Sequence, residues 1–434
     1  MAGTIEADLA VVDARELVTV AGSAPLLGPR MRDVGVLRGG CLAARRGSIV
    51  FVGDGREYRR RVRLDRHGVE IDATGRTVLP GFVDPHTHLP FAGSREEEFV
   101  RRLRGETYES IAAAGGGILS TVRATRAAPI EALVEAARRR LDRMLLHGTT
   151  TAEAKSGYGL RLDEELKQLR AIRRLNDLHP VDLVPTFLGA HVVPRERRED
   201  RESYVREVMD RMLPEVVREG LARFCDAFVG EGAFAPGEAE RILGRAADLG
   251  LGLRLHADQL GPSGGALLAA RLGAASADHL EHVTDEGIEA LRRAGTTAVL
   301  IPGASFFLRQ ERDAPARRLI DAGVPVALAT DLNPGTCPTE AMSAILPLAS
   351  LRMGLEPAEA IAAATLNAAH SLRIAGRVGS LEVGKAADLQ VLEIPGHLHL
   401  AYHFGVNHCR TVVKEGRVVV DRGSIIGADA PVIS

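Results

Sequence analysis

From about residue 78 to 336 the chain keeps a two-stroke rhythm, and this constrains its fold more than any other feature. Short β-branched or apolar runs end in Gly, His, Asp or Glu, and a longer Ala/Leu/Arg/Glu pattern of helical period follows each. The strand-like runs are TVLPGFVDPHTH, GTTTAEAKSGYG, VDLVPTFLGAHVVP, ARFCDAFVGEG, LGLRLHADQL, ASADHLEHV, TTAVLIPGAS and VPVALATDLNPGT. The helical patterns between them include IEALVEAARRRLDRMLLHG, RLDEELKQLRAIRRLND and APGEAERILGRAADLG. In the last of these Pro236 marks a helix start and Gly250 a stop. Strands alternating with helices imply βαβ units and a parallel sheet. Eight units in about 250 residues are the size of a (β/α)8 barrel. A doubly wound sheet is the alternative if the count is off by one. The expected fold class is α/β, a TIM-like barrel.

The two ends read differently. Residues 1–77 and 378–434 hold short alternating runs with Gly-rich turns: CLAARRGSIVFVGDG, GVEIDATGRTV, KAADLQVLEI and RTVVKEGRVVVDRGS. These are hairpin-like signals. They flank the barrel, so one small β-sandwich domain assembled from both chain termini is expected, with residues 78–377 as the barrel. The segment 337–376 is helical in pattern and should cover the barrel's far side.

Composition narrows the function. Hydrophobic residues make up 45%, charged residues 26%, and the net charge is −2, ordinary for a soluble globular chain. The basic stretches YRRRVRLDR (58–66) and RERREDRE (195–202) lack interleaved aromatics and read as solvated faces, so no nucleic-acid partner is expected. The start MAGTIEADLAVVDARELVTV has acidic residues and no basic lead, unlike a secretory signal, and no uncharged apolar run approaches a bilayer span. Cys41, Cys225, Cys337 and Cys409 lie far apart, suggesting neither a disulfide framework nor a cysteine zinc site. The expectation is a cytoplasmic protein with reduced thiols and no membrane partner.

Barrels of this kind carry their chemistry at the C-terminal ends of the strands. His86 and His88, two residues apart at the end of the first strand, share a face. His191 ends the third strand, His256 the fifth, His279 the sixth and Asp331 the eighth. Any one of them has a plain reading: a hydrogen-bonded structural histidine, or an aspartate capping a helix. Six at one edge of one barrel point to a metal site. Neutral imidazoles with a carboxylate suit Zn²⁺ or Fe²⁺ and leave a position for water, whose pKa falls towards ~7. A carboxylate beside the metal can move the proton to a leaving nitrogen. A histidine off the metal can hold a developing oxyanion. Hydrolysis of an amide-like C–N bond is the expected reaction.

The segments PGFVDPHTH, LHADQ, ADHLEH and ALATDLNPG, with the tail VGSLEVGKAADLQVLE, resemble the amidohydrolase superfamily over essentially the whole chain. The segment 86–126, with EAKSGYGL, TFLGAHVVP, LHADQL and DLNPGTCP, resembles the imidazolonepropionase family of histidine degradation, densely over residues 78–340. The resemblance implies opening of the ring amide of 4-imidazolone-5-propanoate to N-formimidoyl-L-glutamate. It implies one divalent metal ion per chain, zinc or iron, held by His86, His88, His256 and Asp331. Asp331 would also shuttle the proton and His279 would polarise the carbonyl. Arg95 is the matching cation for the substrate's propionate, through a bidentate guanidinium–carboxylate pair. Tyr158 and His191 would line the substrate, Gln259 would hydrogen-bond its ring, and Asn333, Gly335 and Thr336 would hold the product's amino-acid end.

Some members of that family carry Glu where Gln259 stands, so Gln259 is assigned binding and Asp331 the proton transfers. Lys155 raises the carbamylated lysine that bridges two metals in some superfamily relatives, usually on the fourth strand. With a single metal implied, a structural or supporting Lys155 is expected. AAAGGGI at 112–118 lacks the following Lys-Ser/Thr of a phosphate loop and reads as a loop near the site. The expected partners are a small-molecule substrate and a second copy in a homodimer. The rival functions are an amidohydrolase deaminase of a cyclic amidine or nucleobase, and a non-catalytic assembly protein of the same fold.

Overall fold

The computed structural model describes residues 4–106, 110–111 and 115–426. The eight expected strands are present: β1 Phe82–Asp84, β2 Thr149–Lys155, β3 Asp182–Ala190, β4 Phe224–Phe228, β5 Gly252–Ala257, β6 Ser276–His279, β7 Thr297–Leu300 and β8 Val326–Leu328. They pair in sequence order, and every pair is parallel. Between β1 and β8 the ring closes just beyond the strand ends, by a parallel bridge between Thr87 and Leu332. There Asp331 N donates to His86 O at 2.9 Å and His88 N to Leu332 O at 3.0 Å. The seam of the barrel therefore sets His86, His88 and Asp331 side by side.

The chain forms helices α1 Glu96–Leu103, α2 Ile118–Ala127, α3 Ile130–Leu146, α4 Leu162–Leu178 and α5 Pro236–Asp248, and the last three fall where the apolar period placed them. α4 buries Leu166, Leu169, Ile172 and Leu175 on one side, the spacing expected of a helix laid against a sheet. α5 begins on Pro236, and Gly250, just past its end, takes the left-handed conformation at φ 86°, as a helix stop requires. The segment after residue 337 forms helices Met342–Met353, Pro357–Ala363 and Leu366–Ser371. The last two pack against β8, and the final one also against β7 and β1.

The ends form two further sheets. A four-stranded sheet comes wholly from the N-terminal segment, in the order Ser48–Asp54, Gly40–Arg45, Ile5–Ala14, Val62–Asp72. A seven-stranded sheet joins Glu16–Val18, Val36–Leu37 and Thr77–Pro80 to Leu389–Leu392, Cys409–Lys414, Arg417–Asp421 and Ser424–Ile425. Leu9, Val11, Leu42 and Ile49 of the first pack in one core with Val78, Leu389, Val391 and Val413 of the second, which makes the β-sandwich. The hairpins around Arg46–Gly47 and Glu415–Gly416 form as expected. GVEIDATGRTV does not form a hairpin. Its first half runs parallel to Ile5–Ala14, and its second half leaves for the other sheet to pair with Leu389–Leu392. Alternation reports a strand but not its partner. Of the loop 112–118, residues 112–114 lie outside the described residues.

Candidate active site

At the C-terminal rim of the barrel four imidazoles and one carboxylate meet, all essentially buried. Ligand-capable atoms of His86, His88 and Asp331 lie within 4.8 Å of one another, as do those of His86, His256 and His279. His88 Nε2 is 3.3 Å from both Asp331 Oδ1 and His256 Nε2, and His86 Nε2 is 3.5 Å from Asp331 Oδ1. The backbone is held for this. His279 and Asp331 adopt φ of 81° and 55°, a conformation that costs a non-glycine residue about 1–3 kcal/mol.

Beneath these side chains sits a layer of charge. His86 Nδ1 is 2.6 Å from Asp278 Oδ2, and His256 Nδ1 is 3.1 Å from Asp226 Oδ2. Each carboxylate accepts a hydrogen bond from Nδ1–H, so Nε2 of both rings is left with its lone pair free. Lys155 Nζ stands 2.9 Å from Asp226, 2.5 Å from Glu153 and 4.0 Å from Asp278. Arg254 reaches Glu153 at 2.9 Å and Asp278 at 3.2 Å, and donates to Pro85 O at 2.7 Å. All five charged residues are 0% exposed. Burial alone would push the Lys155 amine down, but Asp226 and Glu153 outweigh it and hold it above its ordinary value. Burial likewise opposes the ionised Asp226, and His256 and Lys155 reverse that, keeping it well below the carboxylate range. Lys155 is therefore a charged member of a supporting network.

The arrangement fits a divalent metal ion. His86 Nε2 and Asp331 Oδ1 are buried without a hydrogen-bond partner, and a nitrogen lone pair 3.5 Å from a carboxylate oxygen repels it unless a cation stands between them. Burial, then Lys155 and the neighbouring imidazoles, keep His86 well below its ordinary pKa, in the neutral form that binds metals. Burial would raise Asp331, but His88 outweighs it and holds the carboxyl ionised. His279 differs. Burial lowers it, yet Glu281, with Oε1 3.7 Å from Nδ1, brings it above its ordinary value.

Of the other predicted residues, His191 and Tyr158 lie against this group. His191 stacks on His88 with ring centroids 5.0 Å apart, and Tyr158 lies 5.9 Å from His88 and 5.4 Å from His191. Gln259 is buried in the turn after β5, which Asp258 pins by accepting from Ser263 N, Gly264 N and Ala266 N. Thr336 Oγ1 donates to Asp331 Oδ2 at 3.1 Å, and Asn333 Oδ1 accepts from Gly335 N and Thr336 N, both at 2.8 Å. Arg95 reaches this loop from the start of α1: its guanidinium packs directly on Gly335.

Sequence reading missed the supporting layer: Glu153, Asp226, Arg254, Asp278 and Glu281. A signal existed. Glu153 with Lys155, and Arg254 with His256, are i, i+2 pairs inside apolar strands, so each pair shares one face. Also missed was Glu165, fully buried on α4, which accepts from Gly157 N, Gly159 N and Leu160 N at 2.7–3.0 Å. Together with Gln168, which accepts from Tyr158 N at 3.0 Å, it shapes the Tyr158 loop.

An imidazole–carboxylate group at the rim of a (β/α)8 barrel defines a class of metal-dependent hydrolases, and residues 77–419 match the model of the Amidohydrolase family. Among solved structures, an adenosine deaminase from Xanthomonas campestris with bound zinc shares the fold at TM-score 0.74 and 20% identity, covering 98% of this chain and 96% of its own. A triazine hydrolase variant does so at TM-score 0.68 and 19% identity, covering 97% and 96%. Among sequence relatives, the imidazolonepropionase of Symbiobacterium thermophilum is 55% identical over 419 residues, 96% of this chain and 98% of that protein. The imidazolonepropionase of Geobacillus kaustophilus is 54% identical over 416 residues, 95% and 98%. The chain belongs to the amidohydrolase family and, within it, to the imidazolonepropionases.

Proposed function

We propose that the protein hydrolyses 4-imidazolone-5-propanoate to N-formimidoyl-L-glutamate in histidine degradation. The observation that carries this substrate is Arg95: a guanidinium seated on the loop that bears Asp331 offers an anchor for a carboxylate. A pocket for an uncharged nucleobase has no use for that cation.

His86, His88, His256 and Asp331 hold one divalent ion, and imidazole with carboxylate suits zinc and iron alike. Bound there, the ion supplies Lewis-acid activation of water near neutral pH. The chain's own residues do the rest. Arg95 binds the propionate, while Tyr158, His191 and Gln259 orient the ring. His279, whose pKa Glu281 raises, donates to the ring carbonyl oxygen as it gains charge. Asp331 takes the proton from the attacking water and returns it to the leaving ring nitrogen. Its Oδ2, already the acceptor of Thr336 Oγ1, is oriented for that transfer. Asn333, Gly335 and Thr336 hold the amino-acid end of the product. In this reading residues 78–377 carry the reaction, the sandwich of 1–77 and 378–434 supports it, and the enzyme works as a cytoplasmic homodimer. Among the described residues no helix is long and apolar enough to cross a membrane.

The test is a product balance on freshly generated substrate. One equivalent of N-formimidoyl-L-glutamate without ammonia supports ring opening. Inert substrate, with ammonia released from a cyclic amidine instead, would transfer the site to a deaminase.

A further inference from the structure

Gly335 stands in the loop after β8, and its backbone is not among the left-handed positions of the chain, so the turn itself does not demand glycine. What demands it is space. A Cβ at 335 would stand 2.0 Å from Nη1, 2.7 Å from Cζ and 3.2 Å from Nη2 of Arg95. The nearest neighbours are all one guanidinium.

Neither partner is free to yield in place. Asn333 Oδ1 accepts from both Gly335 N and Thr336 N at 2.8 Å, which fixes the loop. Glu98 Oε2 takes Arg95 Nε and Nη2, each at 2.8 Å. Glu98 Oε1 in turn accepts from Gly117 N at 2.9 Å and Ser120 Oγ at 3.3 Å. One edge of the guanidinium is thus splinted to the start of α2, and its Nη1 end lies on Gly335. The Arg95 and Glu98 side chains are only 10% and 12% exposed, so the cation has one seat.

We infer that Gly335 is the specificity-determining residue for the carboxylate of the substrate: its missing side chain admits the Arg95 guanidinium to the rim of the site. The inference rests on the reading of Arg95 as the propionate anchor. A methyl group at 335 unseats the far end of a flexible side chain and leaves the backbone as it is, so Gly335→Ala folds and loses the anchor.

The experiment is a double-mutant cycle on the metal-loaded enzyme with Gly335→Ala, Arg95→Ala and the pair, assayed on imidazolonepropionate. Binding is read separately from inhibition by imidazole-4-propionate and by its primary amide. Hydrogen bonds to a charged group contribute about 1.5–3 kcal/mol, so Gly335→Ala is expected to raise KM and the inhibition constant of the propionate about 10- to 100-fold. Inhibition by the amide should move far less, and adding Gly335→Ala to Arg95→Ala should do nothing more to KM. Arg95→Ala raising KM while Gly335→Ala leaves it alone would overturn the inference, as would effects that multiply in the pair. Arg95→Ala leaving KM unchanged would instead remove the anchor itself, and the role of Gly335 with it. Should Gly335→Ala not fold, the pair Gly335→Ala/Arg95→Lys decides: a folded pair inhibited by the propionate as well as Arg95→Lys alone upholds the steric role, and a pair that stays unfolded or binds the propionate more weakly than Arg95→Lys refutes it.

Discussion

Lys155→Met removes one cation from the buried layer beneath the imidazoles and keeps an unbranched side chain one atom shorter. In the wild type three carboxylates, Glu153, Asp226 and Asp278, face two cations, Lys155 and Arg254. The variant leaves three against one, all 0% exposed. Breaking one side of a buried ion pair costs about 3–5 kcal/mol. At about 2.1 cal/mol/K per residue, a 434-residue chain unfolding as one unit changes entropy by about 0.9 kcal/mol/K, so the midpoint should fall by about 3–5 °C. The assay is thermal unfolding of the metal-free protein, because bound metal would add its own mass-action stabilisation. Glu153→Gln should be costly too, but the pair Lys155→Met/Glu153→Gln should cost less than the sum of the singles by about 0.5–3 kcal/mol. A single-variant shift under about 1 °C, or strict additivity, would refute the idea that the layer is held by mutual charge.

Other outcomes follow from the site. Asp331→Asn should abolish turnover while Gln259→Ala leaves measurable activity, and equal losses would undo the division of roles. The metal-free protein should lose stability as pH falls below about 6.5. His86, His191 and His256 are held below their ordinary value chiefly by burial, so the unfolded chain binds more protons there, each group contributing up to about 1.4 kcal/mol per pH unit. Asp226 and Asp331, also lowered, add loss in the same direction at lower pH. His279, which is raised, and the buried Asp84, raised to about 7, act oppositely, losing their contributions only as pH rises. A urea midpoint that does not fall between pH 7 and pH 5 would contradict this.

The barrel was legible because burial on both faces writes apolar runs into parallel strands, and amphipathic helices space them. His86, His88, His256, His279 and Asp331 were legible because each ends a strand at the same rim. The supporting charges were not read, because Asp226 in FCDAF or Arg254 in LRLHA looks like an interruption of a strand until its partner on the next strand is known. Pairing across the sheet sets Asp226 against Arg254 and Lys155 against Thr186, and only register brings such residues together. The same limit explains GVEIDATGRTV, whose two halves found partners in different sheets. Gly335 in DLNPGT is assigned to the product's amino-acid end by resemblance alone; its contact with Arg95, 240 residues earlier in the chain, was not legible.

The central claim, that His86, His88, His256 and Asp331 together hold one ion on which ring opening depends, is tested most directly by titration. The protein is stripped by chelation, metal is added back in steps, and loss of imidazolonepropionate is followed in the ultraviolet. Activity should rise from background in proportion to bound metal and level off at about one ion per chain. Full turnover in the stripped protein, or a plateau only at two ions, would contradict it.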